Sequence, residues 1–179
     1  MMLSNFPDSG ISNKFVSLVK FCDHHITSEY ISWLNDEEIV KHSNQRFFKH
    51  DAHSSATYLS SFTNTSNLFL AVINQSSNKM IGTMTAYIDE NHNTADLGIL
   101  IGEKSTWGNG FGFYSWSLLL EWLLEHQKIR KVTAGTNSEN IGMLKIFQKS
   151  NMSHECTRKA QELINGKETD IYLFCRFNQ

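Results

Sequence analysis

The chain has 179 residues, 16 basic against 18 acidic side chains, 40% hydrophobic residues and a formal net charge of -2. This size and composition fit a single domain over residues 1–179 with a substantial core, and they exclude disordered and collagen-like chains. The near balance of charge gives no global drive toward nucleic acid.

Residues 1–13 are polar and read as a loose terminus without the apolar run of a signal peptide. Residues 15–20 read as a first strand. Thr27 is placed to cap a helix through 34, and Asp36 to cap a short second one through 39. Asp51 caps a further helix over 51–62, whose stripe is Tyr58, Leu59 and Phe62. Residues 68–73, 80–88 and 95–101 then read as three strands with short turns, an antiparallel meander. The period next switches: Phe113, Trp116, Leu120, Leu123 and Leu124 recur at helical spacing, giving a helix over 110–126. Residues 131–136 form a strand parallel to the one before that helix, and 141–149 a last helix. Residues 153–162 and 168–177 pair around the turn Asn165-Gly166. The fold class is mixed α/β (α+β), a sheet with helices on its faces.

The most apolar stretch, 118–124, is interrupted by Glu121 and is too short to cross a bilayer. The 3 cysteines, Cys22, Cys156 and Cys175, form no C-x-x-C pair. That favours a reducing compartment, and the expectation is a cytoplasmic protein with no membrane partner and no cysteine-held metal. His24-His25 and His50-x-x-His53 show no third or fourth ligand, so no metal is expected.

The informative segment runs from Ile99 to Gly112. A strand ends, a loop follows, and Gly108, Gly110 and Gly112 open a long helix. Glycine permits positive φ and close backbone approach, and a helix start offers unpaired N–H groups, together a site for a pyrophosphate. A Rossmann fingerprint fails because Phe113 stands at its last glycine, and a Walker loop fails because Trp107 stands at its second. A glycine-rich helix cap that binds nothing is the competing reading.

The run Ala95-Asp96-Leu97-Gly98-Ile99-Leu100-Ile101, followed by Trp107-Gly108-Asn109-Gly110-Phe111-Gly112, resembles the acetyl-CoA motif of the GCN5-related N-acetyltransferases (GNAT). Gly110 and Gly112 match the family's glycines, and Trp107 holds its Gln/Arg position, as in the branch resembling ribosomal-protein alanine acetyltransferases. A second motif matches through Asn140, Phe147 and Lys149. Over about 14–177 the element order agrees too. The resemblance implies a mostly antiparallel sheet splayed between its fourth and fifth strands, and acetyl-CoA as co-substrate. It implies that Ile99, Leu100 and Ile101 bind the pantetheine arm, with the Leu100 N–H on the thioester carbonyl. Residues Trp107, Gly108, Asn109, Gly110, Phe111 and Gly112 would hold the pyrophosphate. Asn140 would bond the pantetheine end, and Phe147, where the family often has a proton-donating tyrosine, would pack against the cofactor arm.

The implied reaction is attack of a primary amine on the thioester. An alkylammonium must first lose a proton, so a base is expected: Asp96, in the family's carboxylate position, or His92 in the preceding loop. The N-terminal third is expected to build the acceptor pocket, with Trp33, Arg46 and His92 as candidate substrate contacts. The acceptor expected is an amino sugar or nucleotide-linked amino sugar. A protein N-terminal alanine, a polyamine, a non-catalytic acyl-CoA-binding module and a nucleotide-binding regulator are the alternatives. A homodimer is compatible with this reading.

Overall fold

A computed structural model describes residues 6–178. Its elements are β1 (Ile11–Ser12), β2 (Val16–Lys20), α1 (Ser28–Leu34), α2 (Glu37–Val40), α3 (Ala52–Ser60), β3 (Leu68–Asn74), β4 (Lys79–Asp89), β5 (Thr94–Ile101), α4 (Phe111–Glu121), β6 (Lys131–Asn137), α5 (Ile141–Lys149), β7 (Ser153–Ile164) and β8 (Lys167–Phe177). They form one sheet in the order β1-β2-β3-β4-β5-β6-β8-β7. Every neighbouring pair is antiparallel except β5 and β6.

The expected helix caps are all made. Thr27 accepts from the Tyr30 N–H, Asp36 from the Glu38 and Ile39 N–H groups, and Asp51 from the Ser54 N–H. Each satisfies backbone donors that the first turn of a helix leaves orphaned. The N-terminal segment differs from the expected loose end. Residues 1–5 lie outside the described residues, but Phe6 is buried against Trp122 and Ile11–Ser12 pairs with β2. A polar composition hid this, because one apolar ring is enough to anchor a short segment.

Alternation along the strands divides the core in two. Val16, Leu18, Leu70 and Val72 face α4 and α5, with Trp116, Leu119, Leu120 and Phe147. Val19, Phe69, Ala71 and Ile73 face the other way, onto Tyr30, Trp33, Leu34 and α3. Helices therefore cover both faces. α4 ends at Glu121 and continues as one π-helical turn, Trp122–His126.

The single parallel pair decides where a ligand can enter. β5 and β6 pair only at Thr94 with Lys131, Ala95 with Val132 and Asp96 with Thr133. Beyond Asp96 they separate, although β5 runs on to Ile101 and β6 to Asn137. This is the expected splay between the fourth and fifth strands, counted without the two-residue β1.

Candidate active site

β5 keeps β4 along its whole length, with unbroken register from Asp89–Thr94 to Gly82–Ile101. Gly102 N–H donates to the Ile81 carbonyl at 2.9 Å. In an antiparallel ladder alternate residues point their backbone groups to the same neighbour. Even-numbered β5 residues therefore bond β4, and odd-numbered ones face the gap. Two contacts agree: Trp107 Nε1 donates to the Ile101 carbonyl at 2.9 Å and Thr133 Oγ1 to the Ala95 carbonyl at 3.4 Å. This corrects the expectation for Leu100, whose N–H is turned to β4. The groups that face the gap are the N–H and C=O of Ile99 and the N–H of Ile101.

On the open side of the gap lies a groove of about 680 Å³ lined by Ile99, Leu100, Ile101, Trp107, Gly108, Gly110, Phe111, Gly112 and Asn140. Eight of the sites expected for the cofactor thus converge with Asn140 on one surface. Gly108 and Gly110 hold φ of +78° and +86°. At those angles other residues are strained, and the turn directs the first N–H groups of α4 outward. Asn109 departs from expectation: its side chain bonds the Ser105 carbonyl and does not line the groove. Phe147 departs too. It is fully buried, between Trp116 and Phe174. The α5 residues that line the groove are instead Ile141, Gly142, Met143, Lys145, Ile146 and Lys149. Apart from Met143, their spacing is one helical stripe opposite the stripe carrying Leu144 and Phe147, so helical periodicity contained most of this signal.

The other wall of the groove includes Glu38, Ile39, Lys41, His42 and Ser43, which the motifs did not single out. Lys104, in the loop after β5, holds α2 here through Asp36 (2.9 Å) and Glu38 (2.7 Å). Exposed pairs of this kind contribute little stability, but they fix a position.

On the opposite face of the sheet is a second cavity of about 410 Å³. Tyr30, Ser43, Gln45, Phe48, Lys49, His50, Ser54, Ser55 and Tyr58 line it from above, and Thr83, Thr85, Gly98, Ile99 and Leu100 form its floor. Ile99, Leu100 and Ser43 belong to both cavities. Among the described residues no carboxylate lines this second cavity. Burial pushes the Tyr30 phenol up to about 12 and raises Tyr58 further, with help from its 2.7 Å bond to the Tyr87 hydroxyl. Both remain neutral hydroxyls across the physiological range. The His50 backbone is clamped by Asn35, which accepts from its N–H and donates to its C=O, each at 2.9 Å.

The three expected substrate contacts lie elsewhere. Trp33 is buried in the core, packed so closely under Gly102 that a Cβ there would stand 2.0 Å from the indole. Arg46 donates to the Ser43 carbonyl at 2.7 Å and reaches Glu162 at 3.7 Å. It braces the wall and does not line the cavity. His92 sits in the β4–β5 loop, where its C=O accepts from Arg130. From β5's start to Leu100 the strand rises roughly 20 Å, so His92 is at the wrong end. Asp96 lies at the closed end of the splay and lines neither cavity, its carboxylate accepting from Thr133 Oγ1 at 2.7 Å. Burial raises its carboxyl above the ordinary range, with the Thr133 bond opposing.

Among the described residues Cys22, His24 and His25 bring three donor atoms within 4.8 Å of one another. The third donor atom that spacing did not reveal is that of Cys22. The His25 Nδ1 lone pair is already engaged by the Cys22 N–H at 3.0 Å. No helix among these residues is long and apolar enough to cross a membrane.

A family model described as Acetyltransferase (GNAT) domain matches residues 16–153. The chain belongs to the GNAT acetyltransferase family, and with it to the N-acetyltransferases. No curated protein matches. Solved structures share the fold at low identity. One is the RimL ribosomal L7/L12 alpha-N-protein acetyltransferase in complex with coenzyme A (14% identity, TM-score 0.81, covering 96% of this chain and 97% of that one). Another is the Microcin C7 self immunity acetyltransferase MccE in complex with acetyl-CoA and AMP (18%, 0.81, 96% and 98%). A third is spermidine N-acetyltransferase from Vibrio cholerae in complex with CoA and spermine (15%, 0.81, 93% and 97%).

Proposed function

We propose that residues 1–179 act as one cytoplasmic acetyltransferase domain, alone or as a homodimer, moving the acetyl group of acetyl-CoA to the primary amine of an amino sugar that carries a phosphate or nucleotide. One observation carries this reading: two cavities on opposite faces of the sheet meet at Ile99 and Leu100, with a helix start at the far end of one of them. The first N–H groups of α4 suit a pyrophosphate, and Lys145 and Lys149 suit the remaining phosphate charge. The unpaired Ile99 and Ile101 groups suit an amide-containing arm laid along β5 like an added strand. An N–H facing the gap is placed to stabilise the oxyanion of a thioester under attack. The departing thiolate, with an ordinary thiol pKa of about 8.5, leaves without the tyrosine that Phe147 replaces.

The chemistry of the second cavity favours the acceptor class. A polyamine carries several positive charges and needs carboxylates, which this cavity lacks. Ser, Thr, Gln and Tyr side chains with Lys49 and His50 suit hydroxyls and an anion instead. The test is mass spectrometry after incubation with acetyl-CoA and separate pools of amino sugars, phosphorylated amino sugars, polyamines and alanine-terminated peptides. The phosphorylated amino-sugar pool should gain acetyl groups fastest. Acetylation confined to polyamines or peptides would refute this acceptor class.

A further inference from the structure

We propose that His42 is the base that takes the proton from the acceptor ammonium, a role that rests on the acetyl-transfer reading above. His42 lies just beyond α2 and lines the cofactor groove together with Ile99, Leu100 and Ile101. Its neighbour Ser43 lines both cavities, so His42 stands at their junction. Its ring is half-buried and meets the Asn137 side chain of β6.

A second observation converges on the same point. Asn137 ends β6, four residues beyond Thr133, as Leu100 is four beyond Thr133's partner Asp96. It therefore stands across the gap from Leu100. Asn137 is 1% exposed, and its side-chain amide meets the His42 ring. This contact holds the His42 ring at the mouth of the splay, on the groove wall it shares with Ile99, Leu100 and Ile101.

The groups facing His42 are Lys41 beside it, Arg46 from the following turn, Asn137 from β6 and Glu139 from the loop before α5. Arg46 is itself paired with Glu162 of β7. Burial, then Lys41, hold the imidazole below the ordinary histidine range, while Asn137 and Glu139 act in the opposite sense. Near neutral pH the ring is uncharged and able to accept a proton. The other candidates fit less well. Asp96 and His92 line neither cavity, and the His50 ring Nε2 lies 3.3 Å from the Gln45 carbonyl.

The ammonium gives one proton to His42, and the freed nitrogen lone pair forms the C–N bond to the thioester carbonyl carbon. The C–S bond breaks with its electron pair on sulfur. The imidazolium returns its proton to that thiolate, and the second nitrogen proton leaves to water, giving the amide and free thiol.

The experiment follows thiol release from acetyl-CoA with glucosamine 6-phosphate, from about pH 6 to about pH 9. His42→Gln is expected to lower kcat roughly 100-fold and to abolish the acid limb of its pH profile, with the KM for acetyl-CoA within about twofold of wild type. In His42→Ala, added imidazole should restore part of the rate. A His42→Gln enzyme that keeps its kcat and acid limb overturns the assignment, as does loss of that limb in His50→Gln instead. A readout independent of the variants is the His42 imidazole NMR signal in wild-type protein. It should titrate below the ordinary histidine range and shift when coenzyme A binds, and a signal that coenzyme A leaves unmoved overturns the assignment. Wild-type protein that binds coenzyme A but releases no thiol with any amine pool overturns the acetyl-transfer reading itself, and this role with it.

Discussion

At Gly110 the backbone takes a φ of +86°, and a Cβ there would lie 3.0 Å from the Tyr114 ring. Gly110→Ala should therefore strain the turn by roughly 1–2 kcal/mol, and a disturbed turn misdirects the N–H groups that face the groove. We expect coenzyme A affinity to fall about tenfold, read by calorimetry. On the proposed reading Lys49 is the acceptor cavity's lysine, so Lys49→Glu should raise the KM for a phosphorylated amino sugar at least about tenfold and leave the KM for acetyl-CoA near its wild-type value. Residues whose role is set locally were legible in the sequence. Thr27, Asp36, Asp51 and the glycines announce caps and turns through their own chemistry and the few residues that follow. Trp33, Arg46, His92 and His42 were not legible, because their roles depend on which distant segment each meets. An arginine paired with Glu162 reads in sequence like one free to bind phosphate.

The helices and strands were read well because their periods are strong and their caps explicit. What the periods could not supply was parity. Whether Leu100 or Ile99 faces the gap depends on which β4 residue each one pairs with, and one residue of register reverses every backbone group. α5 shows the same effect in a helix. A motif-based view takes Phe147 for the cofactor side, yet the stripe it shares with Leu144 belongs to the core. Phe147→Ala should cost about 3–5 kcal/mol of stability by denaturant unfolding, through the cavity it leaves. Its coenzyme A affinity, measured where the protein is still folded, should change less than about threefold. A loss of affinity without a loss of stability would return Phe147 to the groove wall.

Across the whole molecule, the sheet with helices on both faces followed from element order, while the N-terminal strand and the segment 41–50 did not, being short and without a period. Acid sensitivity is a property of the whole fold. Burial, with the neighbouring His24 charge, depresses the His25 imidazole to about 4 from 6.5. A histidine held neutral in the fold and free to protonate when unfolded stabilises fully above the unfolded value, and that contribution is lost as pH falls from about 6.5 toward about 4. The loss should be on the order of 1–2 kcal/mol, reduced for the solvent that still reaches the ring. His25→Gln should flatten the dependence of Tm on pH across that window.

The two cavities open on opposite sides of the sheet and share only Ile99, Leu100 and Ser43. On the proposed reading donor and acceptor thus have separate doors, and neither blocks the other's way in or out. Binding in either order is open, and both must be aboard before any bond changes. Initial-rate plots against one reactant at fixed levels of the other should intersect. Parallel lines would demand an acetylated protein as a waystation, yet Cys22, Cys156 and Cys175 are all absent from both chambers.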